Sequence, residues 1–338
     1  MCNTSRKPVS RPLPCARQRT QQRGIAIITV LLVVALAATL AASVVWRELV
    51  TVRDVENQRL NVQSMWVERA AVEWARTALR AQSSTSNVAY VGQAWSAPVQ
   101  NVQLADLLPR DTIALNSELA HAYISGEVED AQAKFNLTDL VSRAGPSAPW
   151  QIDGAGIEAY RRLLGALSLS PALAEETASY MLRSLGEGNG AGNGWPMQLV
   201  SVQDLARVPG YDAATVKTLS AFVTVLPEYS NVNANTASEP ALEAAIPTLS
   251  ATQAHMLLER RQTTYYVSTG DIALVLSPVL SNATLPSGAL VSTNSGYFVV
   301  HCRIHSARIN LRMDTLIARY GIGDFTWTSV VWAHRVAG

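Results

Sequence analysis

The clearest pattern in the chain is one long apolar run near its start. No charged residue occurs from Ile25 to Trp46, and the preceding segment is basic, with neither Asp nor Glu. At about 1.5 Å per residue, a helix over this run spans roughly 33 Å, which is enough to cross the hydrocarbon core of a bilayer. Because basic flanks stay in the cytoplasm, the pattern predicts one membrane helix at 25–46 whose C-terminal side lies outside the cytoplasm.

The apolar run continues as an amphipathic pattern. Apolar residues recur at every fourth position, and they are Val62, Trp66, Ala70, Trp74 and Ala78. Neither Pro nor Gly interrupts the stretch between residues 25 and 90. A repeat of this length is typical of an α-helix with one apolar stripe. The sequence therefore predicts a single helix of about fifty residues or more, apolar at first and amphipathic later.

Downstream of this helix, the pattern changes twice. Short apolar stretches at 111–115 and 121–128 indicate strands, and helical patterns then fill the segments 156–167, 170–185, 201–208 and 213–226. From Gly296 the period falls to two, with a last run at 326–336. The order predicts an α+β fold, in which the long N-terminal helix packs on an antiparallel sheet and a large α-helical domain is inserted.

The patterns divide the chain into five segments. They are a basic leader (1–24), a transmembrane helix (25–46), the helix continuation with the first part of an α/β domain (47–135), the inserted helical domain (136–278) and the C-terminal part of the sheet (279–338).

Two segments of the inserted domain resemble helix-hairpin-helix units. The first runs from Ser201 to Leu219 around the turn at 208–212, and a poorer copy covers 235–258. DNA-binding versions of this unit offer backbone amides to phosphate. From Trp195 to Ser281, however, four basic residues face seven acidic ones, which gives a net charge of −3. The sequence therefore favours helix packing or protein contacts over nucleic-acid binding.

The composition favours a folded protein that is not an enzyme. Hydrophobic residues make up 48% of the chain, and 27 Lys and Arg residues balance 26 Asp and Glu residues. Cys2 and Cys15 precede the apolar run, so only Cys302 is expected outside the cytoplasm and no internal disulfide forms there. No zinc-protease, serine-hydrolase or phosphate-loop motif occurs.

Two histidines alternate with other residues on a predicted strand. His301, Arg303 and His305 share one face, and Cys302 and Ile304 share the other. The strand rise places the two histidines about 13 Å apart, which is too far for both to bind one metal ion. We therefore expect a surface stripe, with Cys302 as a small buried residue.

The start of the apolar run resembles a class III prepilin leader. Residues Gln22–Leu36 have its layout, with basic residues, a glycine and then an uninterrupted apolar helix. The resemblance implies that prepilin peptidase cleaves between Gly24 and Ile25 and that Ile25 becomes N-methylated. Pilins and most pseudopilins carry Glu at the fifth mature position, where this chain has Thr29. That departure is characteristic of K-type minor pseudopilins.

Five further motifs, in the same order as in that family, strengthen the resemblance. They are Gly126–Asp130, Lys134–Leu137, Ser201–Gly210, Val225–Pro227 and Asn231–Ala237. The chain is thus identified as a member of the K-type minor pseudopilins of bacterial type II secretion systems. The resemblance implies a type IV pilin-like fold and a non-enzymatic tip subunit, which initiates or caps the pseudopilus and supports protein export across the outer membrane.

The resemblance also implies partners and a location. The partners are the I-type and J-type minor pseudopilins, other type II secretion components and the processing peptidase. The implied location is the inner membrane, crossed once, with a cytoplasmic N-terminus and a periplasmic C-terminal domain. A minor pilin of a type IV pilus and a membrane-tethered helix-hairpin-helix DNA-uptake protein remain alternative interpretations.

A calcium site is the family feature that fits this sequence least. The family typically carries an Asp-rich, calcium-binding cluster after the helix that here ends near Leu185. In its place the chain has a glycine-rich loop, whose only candidate ligands are Glu187, Asn189 and Asn193. Calcium prefers six to eight oxygen ligands with several carboxylates. We expect a plain flexible loop, with Asp153 as a further ligand only if the fold brings it close.

Overall fold

A computed structural model describes residues 23–107, 118–186, 194–277, 284–321 and 323–336. It divides into two compact units, which are the residues up to Asn61 and those from Val62 onward. The α-helices are α1 (Arg23–Thr85), α2 (Leu104–Leu107), α3 (Gly154–Ala166), α4 (Leu173–Ser184), α5 (Ala213–Leu219), α6 (Glu239–Ala245), α7 (Ala251–Thr263) and α8 (Thr269–Leu276).

The strands range from long ladders to two-residue bridges. They are β1 (Val99–Gln103), β2 (Tyr123–Asp130), β3 (Phe135–Asn136), β4 (Val141–Ser142), β5 (Gln151–Ile152), β6 (Val223–Thr224), β7 (Val232–Asn233), β8 (Val291–Ser292), β9 (Tyr297–His305), β10 (Asn310–Tyr320) and β11 (Trp327–Val336). The predicted α+β class is confirmed.

The main sheet has five strands in the order β1-β2-β9-β10-β11, and every neighbouring pair is antiparallel. Strands β2 and β9 lie side by side, although the whole helical region separates them in the chain. That region therefore enters the sheet as an insertion between two adjacent strands. The predicted strand at 111–115 lies outside the described residues.

The second half of α1 packs on one face of this sheet. Val72, Ala75 and Leu79 of the helix join Phe298 and Ile317 of the sheet in one buried cluster. The indole of Trp95 adds an edge-to-face contact to Phe298, with ring centroids 5.1 Å apart. Burying aromatic and aliphatic side chains in this way stabilises the contact by roughly 1.5–3 kcal/mol per fully buried residue.

The helical region has two apolar cores of its own. The first gathers side chains from α3, α4 and α5 around Tyr160 and Leu163, and the second gathers α6, α7 and α8 around Leu242 and Leu257. Gly156 allows the first core to close, because a Cβ at this position would lie 1.9 Å from the carbonyl oxygen of Asp139. Any larger residue would push α3 away from that loop.

Two predicted helices are shorter or tighter than expected. The segment predicted as a helix at 201–208 is a 3-10 helix over Val202–Arg207. The helix predicted at 213–226 ends at Leu219, and Val223 and Thr224 instead form β6, which pairs in parallel with β3. Two β-branched residues in succession favour the strand, and the parallel partner supplies its hydrogen bonds.

Candidate functional site

An exposed apolar stripe lies on α1 beyond residue 61, which we call the α1 stripe and define as Val62, Trp66, Ala70 and Trp74. Val62, Trp66 and Trp74 are 53%, 63% and 52% exposed. The residues of the α1 stripe are the first four of the five apolar positions that marked the helix in the sequence, and they are exposed, whereas the fifth, Ala78, packs against the core between α1 and the sheet. The buried face of the same helix carries different residues, including Val67, Val72, Ala75 and Leu79.

Polar contacts fix α1 against β11. The carboxylate of Glu68, which is buried, accepts a hydrogen bond from Arg335 at 3.1 Å. Arg76 donates to the backbone carbonyl of Thr328 at 2.7 Å and to its hydroxyl at 3.1 Å. Because these bonds hold the helix in one rotation about its axis, the α1 stripe is presented on a fixed side.

A buried polar network joins the sheet to the helical region. The Asp130 carboxylate accepts hydrogen bonds from the hydroxyls of Ser295 and Thr236, each at 2.6 Å, from the Asn233 amide at 2.8 Å, and from the Gln132 backbone N–H at 2.9 Å. Burial raises the pKa of Asp130, although all four donors oppose that effect. Two of the sequence motifs, 126–130 and 231–237, thus meet in one buried hydrogen-bond network.

Arg319 extends this network to the end of α1. Its guanidinium donates to the carbonyl of Ser295 at 2.7 Å, to the carbonyl of Leu79 at 3.4 Å and to the side chain of Gln82. Burial lowers the pKa of Arg319 to about 10, and the nearby charge of Asp130 works against that shift. Sequence reasoning missed this arginine, because a single basic residue in a strand carries no local signal of its distant partners.

A second buried hydrogen-bond network lies next to the first apolar core of the helical region. The Asn136 amide donates to the Asp139 carboxylate at 3.1 Å, and the backbone N–H of Ser230 donates to the same oxygen at 2.9 Å. Burial raises the pKa of Asp139 to about 8, and the charge of Asp153 adds to the effect. The carboxylate of Asp139 thus has a structural hydrogen-bonding role, because one of its oxygens joins the Asn136 side chain to the Ser230 backbone.

The histidine stripe on β9 has the predicted alternation. Cys302 and Ile304 are buried, whereas the ring of His301 lies on the other face between two carboxylates, with Asp314 at 2.7 Å and Glu129 at 3.1 Å. The hydrogen bonds that the ring of His301 donates to Asp314 and Glu129 raise its pKa to about 9. Burial alone would raise the pKa of Glu129, but His301 and Lys134 together hold it at about 2.

The helix-hairpin-helix segments use their hairpins for internal packing. Gly210 has a positive φ of 92°, and a Cβ there would lie 2.9 Å from the side chain of Leu173 on α4. Just after the second copy, Arg261 donates to the carbonyls of Ala234 and Ala237. The hairpin glycine thus packs against a neighbouring helix, and the arginine is engaged with backbone oxygens inside the fold.

The leader residues lie at the start of α1. Gly24 and Ile25 are in its first turn, and the hydroxyl of Thr29 donates to the backbone carbonyl of Ala26 at 2.9 Å. That bond satisfies the hydroxyl inside an apolar run, so Thr29 is compatible with hydrocarbon. In the described part of the chain, one helix is long and apolar enough to cross a membrane, and it is this one.

The calcium candidates Glu187, Asn189 and Asn193 lie outside the described residues. Asp153 accepts a hydrogen bond from the Gly156 N–H and so caps α3. Within the described residues, no group of three or more His, Cys, Asp or Glu side chains could hold a metal ion. With one carboxylate and two amides, the candidate set does not fit the ligands that calcium prefers.

Comparisons with known proteins agree with the resemblance seen in the sequence. Two family models, both described as type II secretion system protein K, match residues 133–228 and 232–300. The chain is 28% identical over 249 residues to the type II secretion system protein K of Pseudomonas aeruginosa, which covers 67% of this chain and 68% of that protein.

A solved structure has the same fold. It is a chain of the GspK-GspI-GspJ complex from the type 2 secretion system of enterotoxigenic Escherichia coli, with a TM-score of 0.59 and 19% identity. The match covers 83% of this chain and 99% of that chain. Together with the N-terminal apolar helix, these findings fit a membrane-anchored minor pseudopilin. The resemblance to the protein K family of type II secretion systems is therefore confirmed by two family models and by a curated relative.

Proposed function

We propose that this chain is a non-enzymatic tip subunit of the pseudopilus, which assembles with the I-type and J-type minor pseudopilins to initiate or cap the filament. It crosses the inner membrane once, through residues 25–46, with its N-terminus in the cytoplasm and the residues from 47 onward in the periplasm. The observation that carries this proposal is the α1 stripe, because a subunit built to pack against other helices needs an apolar helix face that its own fold leaves uncovered.

The energetics support a protein partner for this stripe. Each exposed tryptophan offers an aromatic surface whose burial contributes on the order of 2 kcal/mol, and large aromatic residues dominate protein interfaces. Small residues in the apolar run, including Ala35, Ala38, Ala42 and Ser43, would allow close helix packing within the membrane.

Processing by prepilin peptidase is part of the proposal. A cut between Gly24 and Ile25 would remove the basic leader and leave Ile25 as an N-methylated terminus. Thr29 supports a tip position, because it replaces the carboxylate that is thought to meet the N-terminal amine of a neighbouring subunit. N-terminal sequencing of the membrane-fraction protein, made with and without the peptidase, tests this step, and a start other than Ile25 contradicts it.

Co-purification with the I-type and J-type pseudopilins of the same organism tests the assembly step. We expect the wild-type chain to capture both, and the double variant W66E/W74E to lose them, because two carboxylates would have to be desolvated in the interface. W195E is the matched control, since Trp195 is equally exposed (54%) but lies in the helical region. Unchanged capture by W66E/W74E would contradict the role of the stripe.

The alternative interpretations make different predictions. A type IV pilus subunit would be needed for pili and not for protein secretion, so loss of secretion in a deletion strain separates the two machines. A DNA-uptake protein would bind DNA with a steep dependence on salt. The internal engagement of Arg261 and the packing of Gly210 give that second alternative no support.

We propose that the loop with Glu187, Asn189 and Asn193 holds no resident calcium. Removing calcium from the purified full chain with a chelator is then expected to leave its thermal unfolding midpoint unchanged within about 1 °C, since a bound ligand stabilises only the state that binds it. A chelator-induced drop of several degrees that calcium reverses and magnesium does not would contradict this.

A further inference from the structure

The two edge strands of the main sheet differ in length and in the regularity of their pairing. Strand β1 at one edge covers only Val99–Gln103 and is interrupted by an irregularity between Val99 and Val102. Strand β11 at the other edge runs for 10 residues, from Trp327 to Val336. Native proteins usually shorten, charge or cover such edges, because unpaired backbone groups are templates for another strand.

The outer backbone of β11 has almost no partners in the described part of the chain. Its register pairs it with β10 from Trp327 to Val336, with an irregularity that leaves Val331 unpaired. On the other side, Arg76 covers the carbonyl of Thr328. From Ser329 to Val336, the described residues supply no further backbone hydrogen bond beyond those with β10.

The side chains of this edge are apolar first and basic later. Trp327, Val330 and Val331 are 55%, 44% and 38% exposed, and His334 and Arg335 follow them. No acidic residue occurs in β11, and Arg312 on β10 lies opposite Val336. The strand that complements this edge would carry apolar residues along its length and a carboxylate near Arg335, whose side chain is 46% exposed although it also contacts Glu68.

The basic end of β11 contacts α1 at Glu68, two residues beyond Trp66 of the α1 stripe. Arg335 near the end of β11 contacts Glu68, and the exposed Met65 lies one helical turn before Glu68. Val62 and Trp66 of the stripe lie beside Met65 on the helix. One partner that covered the stripe would therefore reach the basic end of β11 as well.

We propose that β11 accepts an extended strand from one of the pseudopilins that pack on the α1 stripe, which adds a sixth strand to the sheet. This inference rests on the proposed function. Main-chain hydrogen bonds supply affinity in such strand addition, and alternate side chains supply selectivity. A second copy of this chain is a poorer occupant, because its β11 contains no acidic residue that could pair with Arg335.

Hydrogen exchange of the wild-type full chain in detergent is the direct test. The backbone amides of Ser329–Val336 are measured in the chain alone and in its co-purified assembly with the I-type and J-type pseudopilins. We expect about half of these amides, those that point outward, to exchange at least about tenfold more slowly in the assembly. Equal rates in an intact assembly would overturn the inference while leaving the proposed function in place.

A substitution adds a second readout. Lysine at an edge discourages strand pairing, so V330K is expected to lower the yield of co-purified partner by about tenfold, which corresponds to 1.4 kcal/mol. V267K is the matched control, because Val267 is 61% exposed and lies in the helical region. Equal yields from V330K and V267K would also overturn the inference.

The remaining outcomes are distinguishable. If the wild-type chain captures neither pseudopilin, the proposed function fails, and the inference fails with it. If the β11 amides of the chain alone are protected in a concentration-dependent manner, a second copy occupies the edge, and the proposed partner is wrong. If V330K does not fold, the exchange measurement on the wild-type chain still decides the question.

Discussion

Both faces of α1 beyond residue 61 carry apolar residues, unlike the faces of an ordinary amphipathic helix. The face against the sheet carries small and polar residues, including Ser64, Glu68 and Ala75, beside Val72 and Leu79. The exposed face carries two tryptophans and a valine. Apolar periodicity alone thus marks both faces, and the more aromatic one is not the one that the domain buries. The helix therefore forms one interface inside the domain, and it has an exposed apolar face that is suited to a second one.

Truncating the buried face is expected to have the largest effect on stability. Leu79 is fully buried among Trp95, Phe298 and Ile317, so L79A leaves a cavity and should lower the free energy of unfolding by about 2–4 kcal/mol. Urea unfolding of the detergent-solubilised full chain, followed by tryptophan fluorescence, measures this difference. A loss below about 1 kcal/mol would mean that the contact between α1 and the sheet contributes little.

Removing the counter-charge of the buried Glu68 carboxylate is expected to have the next largest effect on stability. Arg335 is the one cation within salt-bridge distance of Glu68 among the described residues, and the other carboxylate oxygen of Glu68 has no hydrogen-bond partner there. R335M should cost about 1–2 kcal/mol, because a buried carboxylate loses its counter-charge. In an E68Q background the same substitution should cost much less, and equal costs in the two backgrounds would show that the pair does not interact.

The sequence predicts this architecture better than it predicts these contacts. The apolar run, the helical block and the period-two strands are local patterns, so the α+β order follows from them. The partners of Asp130 come from residues 132, 233, 236 and 295, and those of Arg319 from 79, 82 and 295. Hydrogen bonds between residues so far apart in the chain depend on the tertiary fold, and no local pattern of apolar and polar residues encodes them.

The choice of helix face follows the same logic. The four-residue repeat of the α1 stripe predicts a helix, but periodicity does not state which apolar face the sheet takes. The sheet takes the face with Ala75 and Leu79, because small residues let the helix approach closely and Glu68 and Arg76 reach β11 from there. The short β6 was missed for a related reason, since its hydrogen bonds come from the distant β3.

The cluster of His301 and Glu129 is expected to make a smaller, pH-dependent contribution to the free energy of unfolding. The folded pKa of His301 (about 9) lies above its ordinary value, so its contribution is complete below about pH 6.5 and is lost as the pH rises through 9. The folded pKa of Glu129 (about 2) lies below its ordinary value, so its contribution is complete above about pH 4.5 and is lost as the pH falls through 2.

The cluster therefore stabilises the fold most between about pH 4.5 and 6.5. Between pH 5.5 and 9.5, the wild-type chain should lose on the order of 1 kcal/mol more unfolding free energy than H301Q, a figure reduced by the partial exposure of these side chains. Urea unfolding at the two pH values measures the difference. Parallel losses in both chains would show that His301 does not titrate in this range.

Removing the exposed aromatic face should change the stability of the isolated chain least. W66A and W74A each truncate a side chain that is more than half exposed, and Trp66 makes one weak contact, with the guanidinium carbon of Arg69 at 5.8 Å from its ring centroid. We expect each substitution to alter the unfolding free energy by less than about 0.5 kcal/mol. Urea unfolding followed by circular dichroism measures this without relying on the removed fluorophores. If either variant lost as much stability as L79A, the domain itself would be using this face, and the stripe would not be free for a partner. A small effect on stability with a large effect on partner capture is the result that separates the outer interface from the inner one.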